Sequence, residues 1–170
     1  CTPSPMTSDG LDDHGDGKES IDHIKNMLSD MCLHPENPDP KIMNLDKYWH
    51  PKFNWYGPAG IGACRGISGF RNWHQIPFLN AMPDRGKLTS YDKKDGWGED
   101  IFYHFFSENE YVAVTGWPNM KQTISHGGWL GIAPVNKVIT LRSLDFWRLE
   151  NGKIRENWVL VDLLDIYNQI

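Results

Sequence analysis

The sequence predicts an α+β fold: helices come first, and a run of strands folding into a curved antiparallel sheet follows. Two observations carry this. Before residue 83 the apolar residues recur at three and four. From about residue 87 they alternate, in segments separated by turn residues. The simplest packing lays the helices on the concave face of the bent sheet and leaves an apolar pocket between the layers.

At 170 residues the chain is long enough for one domain with a real core. We expect a polar N-terminal tail over 1–18, rich in Pro, Ser, Gly and Asp, and one α+β domain over 19–170. From Lys18, the residues Ile21, Ile24, Met27, Leu28 and Met31 form one helical face, which Pro35, Pro38 and Pro40 end. A short turn is expected around Asn44 to Tyr48, and an aromatic strand over Phe53 to Tyr56. The glycines between Gly57 and Gly62 then form a loop, and their spacing is wrong for a dinucleotide fingerprint. Ser68 is placed to cap a second helix that runs to about Met82 and presents Phe70, His74, Phe78 and Ala81 on one face.

Strands are predicted over Lys87–Lys93, Ile101–Phe106, Tyr111–Gly116, Gln122–Gly127, Val138–Leu149 and Ile154–Val161. Asn109-Glu110 marks a tight connection. Glu150-Asn151-Gly152 marks a hairpin, because Asn-Gly accepts positive φ. Residues 163–170 are expected as a last helical turn or an extended arm.

Composition excludes several functions. A net charge of −5 without a basic stripe argues against nucleic acid as a partner. No apolar run is long enough for a transmembrane segment. Cys1, Cys32 and Cys64 are odd in number and lie at no metal spacing. No metal and no cofactor are expected. No Ser occupies a nucleophile elbow. Cys64 beside Arg65 reads as a small residue in a glycine-rich loop rather than a reactive thiol. The first residue is Cys1. Cytoplasmic location is the expectation, with an exported lipoprotein as the alternative if Cys1 is a mature, lipidated terminus.

The most informative segment is Val138–Leu149. Alternation puts Ile139, Leu141, Ser143, Asp145, Trp147 and Leu149 on one face, and the arginines Arg142 and Arg148 on the other. Asp145 is therefore a carboxylate among apolar groups. Burial there disfavours its charge and raises its pKa, which suits proton transfer at a carbon beside a carbonyl. The plainer reading ties Asp145 to an arginine or to a backbone N–H. His126 in Ser125-His126-Gly127-Gly128, His74 on the second helix and His104 in the aromatic strand are further proton-transfer candidates, each weighed against a satisfied core histidine. The eight tryptophans suggest a pocket or an aromatic core.

Asp145-Phe146-Trp147-Arg148, Gly152-Lys153-Ile154 and Glu156-Asn157-Trp158 leading to Asp162 resemble the SnoaL-like polyketide cyclases of the nuclear transport factor 2-like superfamily. Ser125-His126-Gly127-Gly128 with Leu130-Gly131-Ile132 is similar to another segment of that family, and so are Arg65-Gly66 and Gly69-Phe70. The resemblance covers roughly residues 20–168. It implies a cone-shaped α+β barrel with a deep hydrophobic pocket, pairing into homodimers through the sheet. It also implies an intramolecular aldol cyclisation, or a related isomerisation or dehydration, without metal or cofactor. Asp145 is then the acid and base, and His126 matches a family histidine and steadies the enolate oxygen. A small hydrophobic or aromatic ligand is expected against Trp147, Trp158, His74, Trp55, Tyr56, Phe70 and His104. The alternatives are a binding module of the same fold without turnover, its Asp145 locked to Arg148 or Arg142, and an interaction protein whose own aromatics fill the pocket.

Overall fold

The computed structural model describes residues 17–32, 43–85, 91–92, 96–97 and 101–170. Most of the expected tail, the proline run after the first helix and most of the strand expected over Lys87–Lys93 lie outside these residues.

Helix α1 (Lys18–Cys32) forms where the apolar spacing predicts it. It buries Ile21, Ile24 and Met27 in the core and leaves Lys18 and Asp22 as an exposed pair one turn apart. A single turn, α2 (Leu45–Tyr48), follows. The Tyr48 hydroxyl donates to Asp30 of α1 at 2.5 Å and fixes this turn against the helix.

The second helix starts two residues earlier than Ser68. Helix α3 (Gly66–Phe70) continues through a π-helical turn (Arg71–Gln75) into α4 (Ile76–Ala81). Arg65 occupies the N-cap without a side-chain bond, so Ser68 caps nothing. Pro77 explains the widened turn. It has no N–H for the carbonyl one turn back, and its ring would collide with that carbonyl in a regular helix.

One sheet has six strands, in the order β2-β1-β8-β7-β6-β5. They are β1 (Trp49–Tyr56), β2 (Ala63–Arg65), β5 (His104–Glu108), β6 (Tyr111–Thr123), β7 (Val138–Glu150) and β8 (Lys153–Val161). A separate two-stranded pair joins β3 (Tyr91–Asp92) to β4 (Gly96–Trp97). The class is α+β as expected, but the sheet is mixed. Strand β1 runs parallel to β8, and every other pairing is antiparallel. The chain passes from β1 to β8 through the helices and six other strands, so no hairpin forces the pair to be antiparallel.

Strand β6 carries the expected strand Tyr111–Gly116 on to Thr123, so it takes in only the first two residues of the strand expected over Gln122–Gly127, and residues 124–127 are loop and turn. Its pairing with β7 shifts register between Gly116 and Met120, across Pro118, which has no N–H to give the ladder. The hairpin at Asn151-Gly152 is observed, both residues with positive φ. Helix α5 (Leu163–Gln169) resolves the choice at the C-terminal end in favour of helix. Asp162 caps it, accepting from the Asp165 N–H at 3.0 Å.

Candidate functional site

The ladder register sorts the aromatic residues onto two faces. One inner row runs Val112, Trp147, Asn157, Trp55 and Cys64 across β6, β7, β8, β1 and β2. The next runs Phe105, Val114, Asp145 and Val159. The helices cover this face. Between the layers is a cavity of about 120 Å³, whose wall includes Asp145, Trp147, Trp55, Phe70, His74 and Trp129.

Asp145 is the one carboxylate among the described wall residues. Its Oδ2 accepts from the Ser143 hydroxyl and its Oδ1 from the Asn157 amide, each at 3.3 Å. The supports are themselves held. Asn119 donates to Ser143 Oγ at 2.6 Å and accepts from the Ser143 N–H at 3.1 Å, and Asn157 also donates to the Phe146 carbonyl at 3.0 Å. Burial pushes the Asp145 pKa from 3.8 up to about 6. The bonds from Asn157 and Ser143 and the charge of Arg85 pull the other way without cancelling it.

The lock of the alternative reading, Asp145 paired with Arg148 or Arg142, is absent among the described residues. Arg148 Nε pairs with Glu156 at 2.6 Å, directly across the β7–β8 ladder. Arg142 pairs with Asp165 at 3.1 Å and Asp162 at 3.7 Å. These contacts also give structural roles to several residues of the sequence pattern. Arg148 with Glu156 is a cross-strand pair, and Asp162 is a helix cap.

His74 lies flat on Trp55, ring centroids 4.1 Å apart and planes at 17°. Burial, helped by the charge of Arg85, lowers its pKa from 6.5 to about 3, so the imidazole is neutral at physiological pH. Phe70 packs edge-on against Trp55 and stacks on Trp49. The π-helical turn contributes His74 and Gln75 to the wall in succession. Gln75 gives its amide to the sulfur of Met43 at 2.9 Å.

Four expected site residues lie elsewhere. Tyr56 and Trp158 stack on the opposite face of the sheet, centroids 5.7 Å apart, in the row Phe106, Ala113, Phe146, Trp158 and Tyr56. Trp158 neighbours the inward Asn157, and strand alternation turns it outward. His104 is in the outer row with Thr115, Leu144 and Leu160 for the same reason. His126 is exposed in a turn with φ near 50°, its Nδ1 2.8 Å from Ser125 Oγ, and it is not part of the cavity wall. Of the two glycines beside it, Gly128 serves the backbone. A Cβ on Gly128, at φ 77°, would collide with the Ile132 carbonyl, where the turn closes to bring in Trp129.

Sequence reasoning missed Asn119, Asn157 and Arg85. Asn157 was recoverable, because parity in β8 sets it opposite Trp158. Asn119 and Arg85 were not, since the first follows a register shift and the second follows a helix end. Among the described residues no three His, Cys, Asp or Glu side chains gather to hold a metal ion. No described helix is long and apolar enough to cross a membrane.

Comparison with known proteins agrees with this architecture. Residues 103–170 match the family model of the SnoaL-like polyketide cyclases. This is the stretch holding β5 to β8 and Asp145, and the resemblance read from the sequence is borne out there. No curated protein matches the chain. Among solved structures, a proposed SnoaL-like polyketide cyclase from Jannaschia sp. CCS1 superposes with a TM-score of 0.65 at 16% identity, over 94% of this chain and 96% of that one. IdmH, a proposed polyketide cyclase from Streptomyces antibioticus, gives 0.58 at 16% identity over 85% and 96%. An NTF2-like protein from Burkholderia xenovorans LB400 gives 0.52 at 14% identity over 89% and 95%. At such identities these structures establish the fold.

Proposed function

We propose that this SnoaL-like chain is a cofactor-free enzyme in which Asp145 moves a proton at a carbon next to a carbonyl, in an aldol cyclisation or a related isomerisation or dehydration. One observation carries the reading. Asp145 is a carboxylate on an apolar cavity wall, held by two neutral donors and by no arginine ion pair among the described residues, with its pKa raised to about 6. A base so tuned is ionised at pH 7 and accepts a proton far more readily than an ordinary aspartate.

In the aldol form, Asp145 takes the proton and the C–H electron pair becomes the enolate. The enolate carbon attacks a second carbonyl, and the resulting alkoxide takes the proton back from Asp145. No net proton or electron is consumed. Trp147, Trp55, Phe70 and neutral His74 form the walls against which a flat substrate lies. Space of about 120 Å³ suits roughly one aromatic ring at the reacting centre, since engineered apolar cavities of about 150 Å³ hold benzene.

We further propose that the chain pairs with itself through the outer face of the sheet. That face exposes Phe106, Phe146, Trp158 and Leu160 on neighbouring strands, an apolar patch of the kind that serves as a contact surface.

The test of catalysis is Asp145→Asn, assayed on enolisable cyclic and aromatic ketones by following exchange of the α-hydrogen with solvent deuterium. Wild-type protein should catalyse exchange and the variant should not. Equal exchange by both would end the acid–base role.

A further inference from the structure

Arg85 is the one basic side chain among the described residues of the cavity wall. It follows α4, its N–H bonded to the Met82 carbonyl at 3.2 Å. Its side-chain partners are soft ones. Nε donates to the sulfur of Met120 at 3.2 Å, and the guanidinium lies 5.6 Å from the centre of the Phe78 ring. Neither neutralises a charge. Three other arginines, Arg142, Arg148 and Arg155, each have a carboxylate within ion-pair distance. The acid beside Arg85, Asp84, is engaged with the Thr123 N–H at 2.9 Å. Among the described residues no carboxylate pairs with Arg85, which brings a positive charge to the same apolar cavity as Asp145. A half-buried guanidinium on an apolar wall, with no such carboxylate beside it, is suited to an anionic oxygen.

Charge conservation identifies which anion. A ligand with a permanent carboxylate would meet both Arg85 and ionised Asp145, and the two carboxylates would repel. A neutral carbonyl compound creates no such conflict. When its proton passes to Asp145, negative charge leaves the carboxylate and appears on the substrate oxygen. The wall then holds a neutral acid, one guanidinium and one enolate.

We propose that Arg85 is the oxyanion partner of the reaction, its guanidinium hydrogen-bonding the substrate carbonyl oxygen as that oxygen becomes an enolate. The proposal rests on Asp145 being the base. It assigns to Arg85 the part that the sequence had suggested for His126. The ligand class is an enolisable ketone or ester that is neutral in the ground state, with its carbonyl oxygen towards α4 and its acidic carbon towards β7. Donors set where charge develops, in a site closed to water, are worth about a hundredfold or more in rate.

The test uses 4-nitrophenol, whose phenolate mimics an enolate and whose absorbance reports its own ionisation. Asp145→Asn stands in for the protonated acid. Bound to Asp145→Asn protein, the probe should ionise at a pH about one unit or more below its value in water. With Arg85→Gln added, it should ionise above that value, because the apolar cavity then disfavours the anion. Arg85→Lys should fall between, which separates loss of charge from loss of fold. Equal ionisation with and without Arg85, a preference of Asp145→Asn protein for the neutral phenol, or failure of that protein to bind the probe would each overturn the proposal. None of these readouts uses turnover. Loss of the Asp145 role, seen in deuterium exchange, is therefore recorded separately from loss of the Arg85 role.

Discussion

Asn157 of β8 donates one amide hydrogen to Asp145 Oδ1 at 3.3 Å and one to the Phe146 carbonyl at 3.0 Å. The side chain that steadies the carboxylate is therefore itself anchored to the backbone of the same strand. Both bonds exist because Asn157 lies opposite Trp147 in the ladder, on the inner face.

The first expectation concerns this pair. A donor to a carboxylate favours its charged form, so Asn157→Leu should raise the Asp145 pKa beyond about 6. The acid limb of the pH–rate profile should move to higher pH by about one unit or less, since one neutral bond is lost and Ser143 still donates. Rates of deuterium exchange measured from pH 4 to 9 would show it. A limb that stays fixed would separate that limb from Asp145.

Asp145→Asn should stabilise the protein at neutral pH while abolishing exchange. The folded pKa of Asp145 is raised from 3.8 to about 6. Its contribution is therefore fully favourable below pH 4 and lost as pH rises through 6. Above pH 6 the ionised group costs the fold up to about 3 kcal/mol. An amide of the same shape avoids that cost, although Ser143 must reorient its hydroxyl. Denaturant unfolding at pH 8 should give a gain of about 1–2 kcal/mol. A loss there would mean that the carboxylate is a structural anchor.

His74 works in the opposite sense. Its folded pKa is lowered from 6.5 to about 3, so its contribution is complete above 6.5 and is lost as pH falls towards 3. Between about pH 6 and 4 the two groups oppose each other, each at about 1.4 kcal/mol per pH unit. Wild-type stability should be nearly flat there and fall below pH 4. His74→Gln should instead become more stable as pH drops from 6 to 4, and Asp145→Asn less stable. Thermal melts across this range would test both slopes.

The outer face gives the last expectation. Leu160→Asp places a charge beside Leu144, in the row next to that of Trp158 and Phe146. If the sheet is the dimer surface, wild-type protein should sediment as a dimer at micromolar concentration and the variant as a monomer, with its helix and strand content unchanged. A wild-type monomer would sink the pairing.

The class of the fold, the position of α1, the hairpin at Asn151-Gly152 and the inward face of β7 were all legible in the order of residues. These follow from local periodicity and turn chemistry, which the order of residues contains. Parity alone turned Asp145 inward, and the Trp147 indole beside it. Which distant groups meet that carboxylate emerged from the folded arrangement alone. Parallel pairing of β1 with β8 brings Trp55 into the row of Asn157 and Trp147. The register shift in β6 sets Asn119 on Ser143. The end of α4 gives Arg85 to the same cavity, while His126, Trp158, Tyr56 and His104 fall outside it. Such meetings depend on strand register and on the path of the chain between elements. A pattern confined to neighbouring residues carries no record of either.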